Sequence, residues 1–349
     1  MKTMIHKLTS IKTMVLGAVA LSIFAVSCKK DTLESTTDKP DATAIAELFD
    51  KLDPEMQSFT IDPSQPNTIT GKDGMIIQIP ANAFVDENGN PVTGSVTVSL
   101  KEILSVKDQL LSGVAAASND SILKSGGEFF FEVTSNGEKL NLAINQSITF
   151  DIPADKVDTT MQVFIGNNGV DTAFDWVLGD TDQVIDTTTT WNAKDSVWST
   201  DTSYVKAYEL YYAMEKYVMT VRDIYNTSFY NIDYYIDYTT LINQLSCEIK
   251  VLENTEKEVV DFMVKLVYKQ YSSVSYMSNQ GVVSESLNLD VSDYWFGGQD
   301  VTVIVVGVGQ KSKKTYFGKT SFNISAESKP SIDIIGVSDA QFSAALDNL

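Results

Sequence analysis

Few side chains in this 349-residue chain can do nucleophilic or metal chemistry, and they are unevenly placed. The single histidine is His6, the single arginine is Arg222, and the two cysteines are Cys28 and Cys247. A Ser-His-Asp or Cys-His arrangement needs an imidazole beside the nucleophile. His6 stands in a basic leader, so the rest of the chain cannot build one. Zinc sites draw on His and Cys, and a single cysteine beyond Cys28 does not supply them. No Gly-rich phosphate loop closing on Lys-Ser/Thr is present. Two carboxylates suffice for a glycosidase, yet among 46 acidic residues no pair stands out. The sequence therefore assigns no catalytic residue, no cofactor and no metal ligand, and the chain is expected not to be an enzyme.

Two acidic groupings have ion-like spacing. Asp86, Asn88 and Asn90 fall at positions 1, 3 and 5 of a calcium loop, but Pro91 stands where Gly is needed and no Glu follows at position 12. The same residues read as a turn, because Asn88–Gly89 between alternating segments is a strong hairpin signal. Asp180, Asp182 and Asp186 could gather calcium, but like charges without positive partners ordinarily stay in water. The formal charge of −20 with one arginine argues against nucleic acid as a partner, since phosphate binding relies on Lys and Arg.

Cys28 is the exception, because its position has a meaning of its own. Lys2, Lys7 and Lys12 give a positive start, residues 14–26 (MVLGAVALSIFAV) an apolar core, and Ser27 a small residue at the cut. That is the layout of a secretory signal, and the apolar run is short for a spanning helix. The stretch "AVSC" resembles the lipobox of bacterial lipoproteins, with Ala25 where Leu is usual. The resemblance implies cleavage after Ser27 and a lipid on the Cys28 thiol, which changes the expectation from secreted to anchored. Acyl chains anchor through about 0.8 kcal/mol per buried CH2. An uncleaved anchor and a disulfide to Cys247 are the competing readings. Removing residues 1–27 takes away the three lysines and no acid, so the formal charge moves from −20 to −23.

Behind Cys28 runs a polar segment, "KKDTLESTTDKP", which reads as a flexible tether. "CKKD" followed by Glu34 resembles surface lipoproteins of the Bacteroidota, which implies the outer membrane of a Gram-negative bacterium and a face turned to the exterior; a merely solvated linker reads equally well. Residues 28–60 are expected to hold this tether and a short helix. Asp41 is a candidate N-cap, and Ile45, Leu48, Phe49 and Leu52 share one helical face that should pack on the domain that follows.

From there the pattern changes to period two. Met75, Ile77 and Ile79 alternate, as do Val96, Val98 and Leu100, and Ile148, Phe150 and Ile152. Short strands with Gly, Asn, Asp and Pro between them predict an antiparallel β-sandwich over 61–170. Residues 171–205 are rich in Asp and Thr and carry Trp176, Trp191 and Trp198; they read as an insert or long hairpin. Residues 206–349 read as a β-rich C-terminal module. Its opening "YELYYAMEKYVMTV" suits strands, though a helix also fits it. Val301–Val308 is nearly all β-branched and should be buried on both faces. Ser338 and Gln341 have capping-box spacing ahead of a terminal helix with Phe342, Ala345, Leu346 and Leu349 on one face. The predicted class is mainly β: a sandwich, then a second β-rich module with a short C-terminal helix.

Residues 71–100 add a likeness. Ile79, Pro80, Ala81, Ala83 and Phe84, with Asn82 where Gly is common, resemble the zonula-occludens/netrin-receptor type of β-sandwich domain. Followed later by Ser125, Gly126, Gly127, Phe129 and Glu132, they are still more similar to modules of Bacteroidota lipoproteins. The resemblance implies a fold and a role in binding or spacing partners. The expected function is that of a lipid-anchored, non-enzymatic envelope protein with a membrane contact through its anchor and a protein or glycan ligand. The alternative is a glycan-binding or carboxylate-dependent glycan-degrading lipoprotein, suggested by the Trp- and Tyr-rich stretch from Trp176 to Tyr238.

Overall fold

Alternation decides the architecture. In the strand Val96–Ile103 the even-numbered residues Val96, Val98 and Leu100 are buried and their neighbours are half-exposed. The same holds in Ser121–Ser135, where Phe129, Phe131 and Val133 point inward, and in Lys216–Val221, where Tyr217, Met219 and Val221 do. A strand with one apolar face must bury it against another layer. In this computed structural model the result is mainly β, built of antiparallel sheets with one short C-terminal helix. It describes residues 42–349 except 115, 119–120, 168–174, 180–181, 193–196, 225–227, 237–239, 255–256 and 293–294. The side chains of 42, 167, 182–192, 197–204 and 279 also lie outside the description.

Two sheets form the sandwich. The first runs Gln57–Ile61, Val96–Ile103, Ser121–Ser135, Phe229–Tyr235, Gln162–Asn167 and Asp175–Leu178, in that spatial order. The second runs Tyr208–Ala213, Lys216–Val221, Ile148–Pro153, Ile76–Ile79 and Asn67–Thr70. Aromatic rings join the layers. Phe150 of the second sheet lies 5.1 Å from Phe129 and 4.9 Å from Phe131 of the first, centroid to centroid. Such tilted and edge contacts contribute roughly 0.5–1.5 kcal/mol each beyond burial.

The sheets do not respect the boundary expected at residue 206. Tyr208–Ala213 and Lys216–Val221 complete the second sheet, and Phe229–Tyr235 lies in the middle of the first, between Ser121–Ser135 and Gln162–Asn167. Inward-pointing Tyr208, Tyr217, Met219, Tyr230 and Ile232 are the reason, since they fill the sandwich core. Asp182–Asn192 and Val197–Lys206 pair antiparallel as a two-stranded sheet of their own, with Trp191 in register with Trp198.

The C-terminal residues build a seven-stranded sheet, ordered Ser273–Val283, Val260–Tyr268, Asp300–Gly309, Thr315–Asn323, Ser331–Val337, Leu245–Val251 and Ser286–Val291. Its one parallel contact joins Leu245–Val251 to Ser331–Val337. Its end strands, Ser273–Val283 and Ser286–Val291, follow one another across a two-residue turn, and one face of the sheet covers a core that includes Val303, Val305, Phe262 and Ile249. The other face carries three helices: α1 (Ala42–Leu52), α2 (Val106–Ser112) and α3 (Asp339–Leu346). Asp300–Gly309 therefore has Val303 and Val305 inside and Ile304, Val306 and Val308 under the helices, buried on both faces as its composition requires.

Helix α1 buries Ala44, Ile45, Leu48 and Phe49 as its periodicity demands, but against this C-terminal sheet and not on the sandwich that follows it in sequence. Helix α2 was not expected. Its capping box of Ser105 and Asp108 is written in the sequence as S-x-x-D, but seven residues between two strands gave too short a period to read. The described residues all belong to one compact unit, and none of their helices is long and apolar enough to cross a membrane.

Candidate functional site

The sites read from the sequence divide sharply. Cys28 and Ser27, and with them the tether residues and Asp41, lie outside the described residues. So does Asp180, and so do the side chains of Asp182, Asp186, Trp191 and Trp198. Asp86 is a turn residue: its carboxylate accepts from the Asn88 and Asn90 amides at 2.9 and 2.8 Å, and Gly89 takes a positive φ of 79°. Those bonds hold its carboxyl below the ordinary value, led by the Asn90 side chain. Asn82 adopts φ 55°, the left-handed angle that Gly serves elsewhere. Cys247 is a free thiol buried in the C-terminal core, and burial pushes it up to about 12.

Where it is described, the aromatic stretch is mostly structural. Trp176 is fully buried beside Phe164 and Leu123 on the outer face of the first sheet. Tyr208, Tyr217 and Tyr230 are sandwich core. Tyr211, Tyr212 and Met214 remain exposed on the end strand of the second sheet and its turn. Tyr212 lines a groove of about 290 Å³ with Leu178, Leu210 and Met161, and its hydroxyl donates to the Met161 carbonyl at 2.7 Å.

A larger cleft of about 840 Å³ opens beside the first sheet. Its wall is Ser125–Gly126–Gly127, faced by the 153–159 loop, by Gln109 of α2 and by Gln270 and Ser272. Gly127 has φ 129°, and a Cβ on Gly126 would come within 2.9 Å of the Ile232 carbonyl. Glycines there let Ser121–Ser135 bulge against Phe229–Tyr235, where the register slips between Asn231 and Asp233. At the rim Lys124 pairs with Asp158 at 2.6 Å. Asp158 is held well below the carboxylate range, first by the Lys124 bond and then by Thr160.

Behind that wall sits a group the sequence did not single out. Glu128 faces Asn231 across the two strands, and Asp233 faces Ser125. Glu128, Asn231 and Asp233 are wholly buried. Asn231 Nδ2 donates to Asp233 Oδ2 at 2.5 Å, and Gly127 N donates to Ser125 Oγ at 3.2 Å. Neither oxygen of Glu128, nor Asp233 Oδ1, meets a donor among the described residues, and none of the ion pairs there involves either acid. Burial raises both carboxyls well above their ordinary values, and the neighbouring Asp233 adds to the rise at Glu128. No group of three or more His, Cys, Asp or Glu gathers among the described residues. The pair is sealed from solvent, so it cannot touch a polymeric substrate. It can hold a proton or a small cation. Its acids are far apart in sequence among dozens of others, and only the alternation of Glu128 opposite to the core residues Phe129 and Phe131 hinted at an outward face.

No protein-family model and no curated protein matches the chain. Among solved structures, the γ-CGTase of an alkalophilic Bacillus clarkii aligns at 10% identity over 82% of this chain and 42% of that one, with a TM-score of 0.16. The chain thus spans less than half of that protein, and a TM-score this low describes no shared fold.

Proposed function

We propose that this chain is a lipid-anchored envelope protein of a Gram-negative bacterium, held at the outer membrane, that binds or spaces partners and catalyses no reaction. One observation carries the reading: Cys28 closes the apolar run 14–26 behind a small residue and opens a polar segment. The tether leads into α1, which is docked by four buried side chains and by an ion pair from Lys51 to Asp339. A pull on the anchor would therefore act on a seated helix. The exposed groove around Tyr212 and Leu178 offers a partner protein apolar contact and a sheet edge. The glycan-cleaving alternative needs paired carboxylates in an open aromatic groove, and the acid pair of the first sheet is sealed.

The test is processing. In cells given radiolabelled palmitate the wild-type chain takes up label, and Cys28→Ala accumulates as unlabelled precursor, as does wild type under globomycin. Normal processing of Cys28→Ala would sink the proposal.

A further inference from the structure

Three buried glutamates show what a carboxylate requires in this fold. Glu102 accepts from Gln57 Nε2, Asp73 N and Met75 N, each at 2.9 Å. Glu258 accepts from Lys311 N at 2.9 Å, from Ser312 through both its amide and its hydroxyl, and from Tyr316 Oη. Glu128 is as deeply buried and has no donor, and beside it Asp233 leaves one oxygen bare. Leaving a buried charged acceptor unmet costs more than leaving a neutral one unmet. The fold has supplied donors for its other buried glutamates and not for this one.

The unmet atoms share a polarity. Both oxygens of Glu128 and Oδ1 of Asp233 are acceptors. So is Oε1 of Gln109, which is also buried without a partner and lines the cleft on the opposite side. Ser125 Oγ and Asn231 Oδ1 add neutral oxygens; the Ser125 hydroxyl donates to Asn231 Oδ1 at 3.5 Å, and Ser125 and the Gly126 amide also bond Asp233. What satisfies a set of acceptors is a cation, and two carboxylates balance a charge of +2. Oxygen-only ligands with no His or Cys select a hard ion. Calcium takes six to eight oxygens in flexible geometry and accepts neutral ones among them. Of this set only Ser125 and Gln109 line the cleft, and the two acids lie on the far side of its Ser125–Gly127 wall.

We infer that Glu128 and Asp233, with Ser125 and Asn231 beside them, form a calcium site behind the Ser125–Gly127 wall of the cleft. The ion reverses the sense of the local electrostatics: acids that repel each other in its absence become its ligands. It also gives the bulge at Gly126–Gly127 a purpose, since the slip in register brings Ser125 opposite Asp233. No residue spacing announces this site, and the two calcium-like spacings lie elsewhere.

Full-length protein in detergent, stripped with EDTA, is titrated with calcium chloride while its thermal unfolding is followed. A saturable rise of several degrees in the midpoint is expected, because a ligand bound only by the folded state stabilises it, together with one calcium per chain in native mass spectrometry. Glu128→Gln and Asp233→Asn should each abolish the bound ion and the shift. A wild-type chain whose midpoint ignores calcium and instead rises as the pH is lowered would overturn the site and assign the pair a shared proton. Retention of the bound ion by both variants would equally overturn it. The wild-type titration stands even if a variant fails to fold.

Discussion

Lys265 Nζ donates a hydrogen bond to the backbone carbonyl of Leu110, joining the middle of a C-terminal strand to the last turn of α2. The ammonium also lies 4.9 Å from the Phe49 ring of α1 and 4.8 Å from the Tyr276 ring. One cation thus pins two helices to the outer face of the sheet. A helix C-terminus and two aromatic faces favour positive charge, but burial opposes it and lowers the lysine from 10.5 to about 7.

That shift sets a pH dependence. In the unfolded chain Lys265 keeps its proton to about pH 10.4, whereas in the folded chain it loses it near 7. Between these values the unfolded state binds more protons, so stability rises with pH across the window. Chemical denaturation from pH 7 to 10 should show a gain on the order of a few kcal/mol. Lys265→Met should flatten that slope; an unchanged slope would show that the ammonium is not the source.

Glu102 closes the turn between Asn67–Thr70 and Ile76–Ile79 by accepting from Asp73 and Met75. Glu102→Ala leaves both amides without their acceptor and should cost about 2–4 kcal/mol in urea unfolding. Gly71→Ala should be damaging for the same reason from the other side, because its Cβ would lie 2.5 Å from the Glu102 carboxylate. Loss of less than about 0.5 kcal/mol in both variants would refute this account.

Helix α3 is held by its cap, by the ion pair of Asp339 with Lys51 and by the buried side chains of Phe342 and Leu346. The Ser338 hydroxyl accepts from the Gln341 amide at 3.3 Å, and Phe342 is wholly buried 5.3 Å from Phe317. Ser338→Ala should cost about 1 kcal/mol and Phe342→Ala about 3–5 kcal/mol. Amide exchange over 339–346 should accelerate in both.

Gly318 lies where Thr315–Asn323 passes under the backbone of Ser331–Val337, and a Cβ there would collide with the Asp333 carbonyl. Backbone cannot yield as a flexible side chain can. Gly318→Ala should therefore destabilise by more than the propensity difference between the two residues, and should lower the soluble yield of the full chain.

What the sequence determined by itself is local. Period two in Val96–Leu100 made a strand with one buried face, and Asn82 took the left-handed angle its side chain tolerates. Ser338 and Gln341 formed the box their spacing required, and the nearly continuous β-branched run made 301–308 a doubly buried strand. Each follows from neighbours a few residues apart. Partner choice does not. Tyr208–Ala213, Lys216–Val221 and Phe229–Tyr235 joined the sandwich because their inward side chains complete that core, and α1 crossed to the far sheet because the outer faces of Ile304 and Val306 needed cover. Ser125 and Asn231 meet 106 residues apart, across a bulge that no periodicity announces. Burial of charge is a property of what packs over a face, so only the assembled layers decided that Glu128, Asp233 and Lys265 would be sealed.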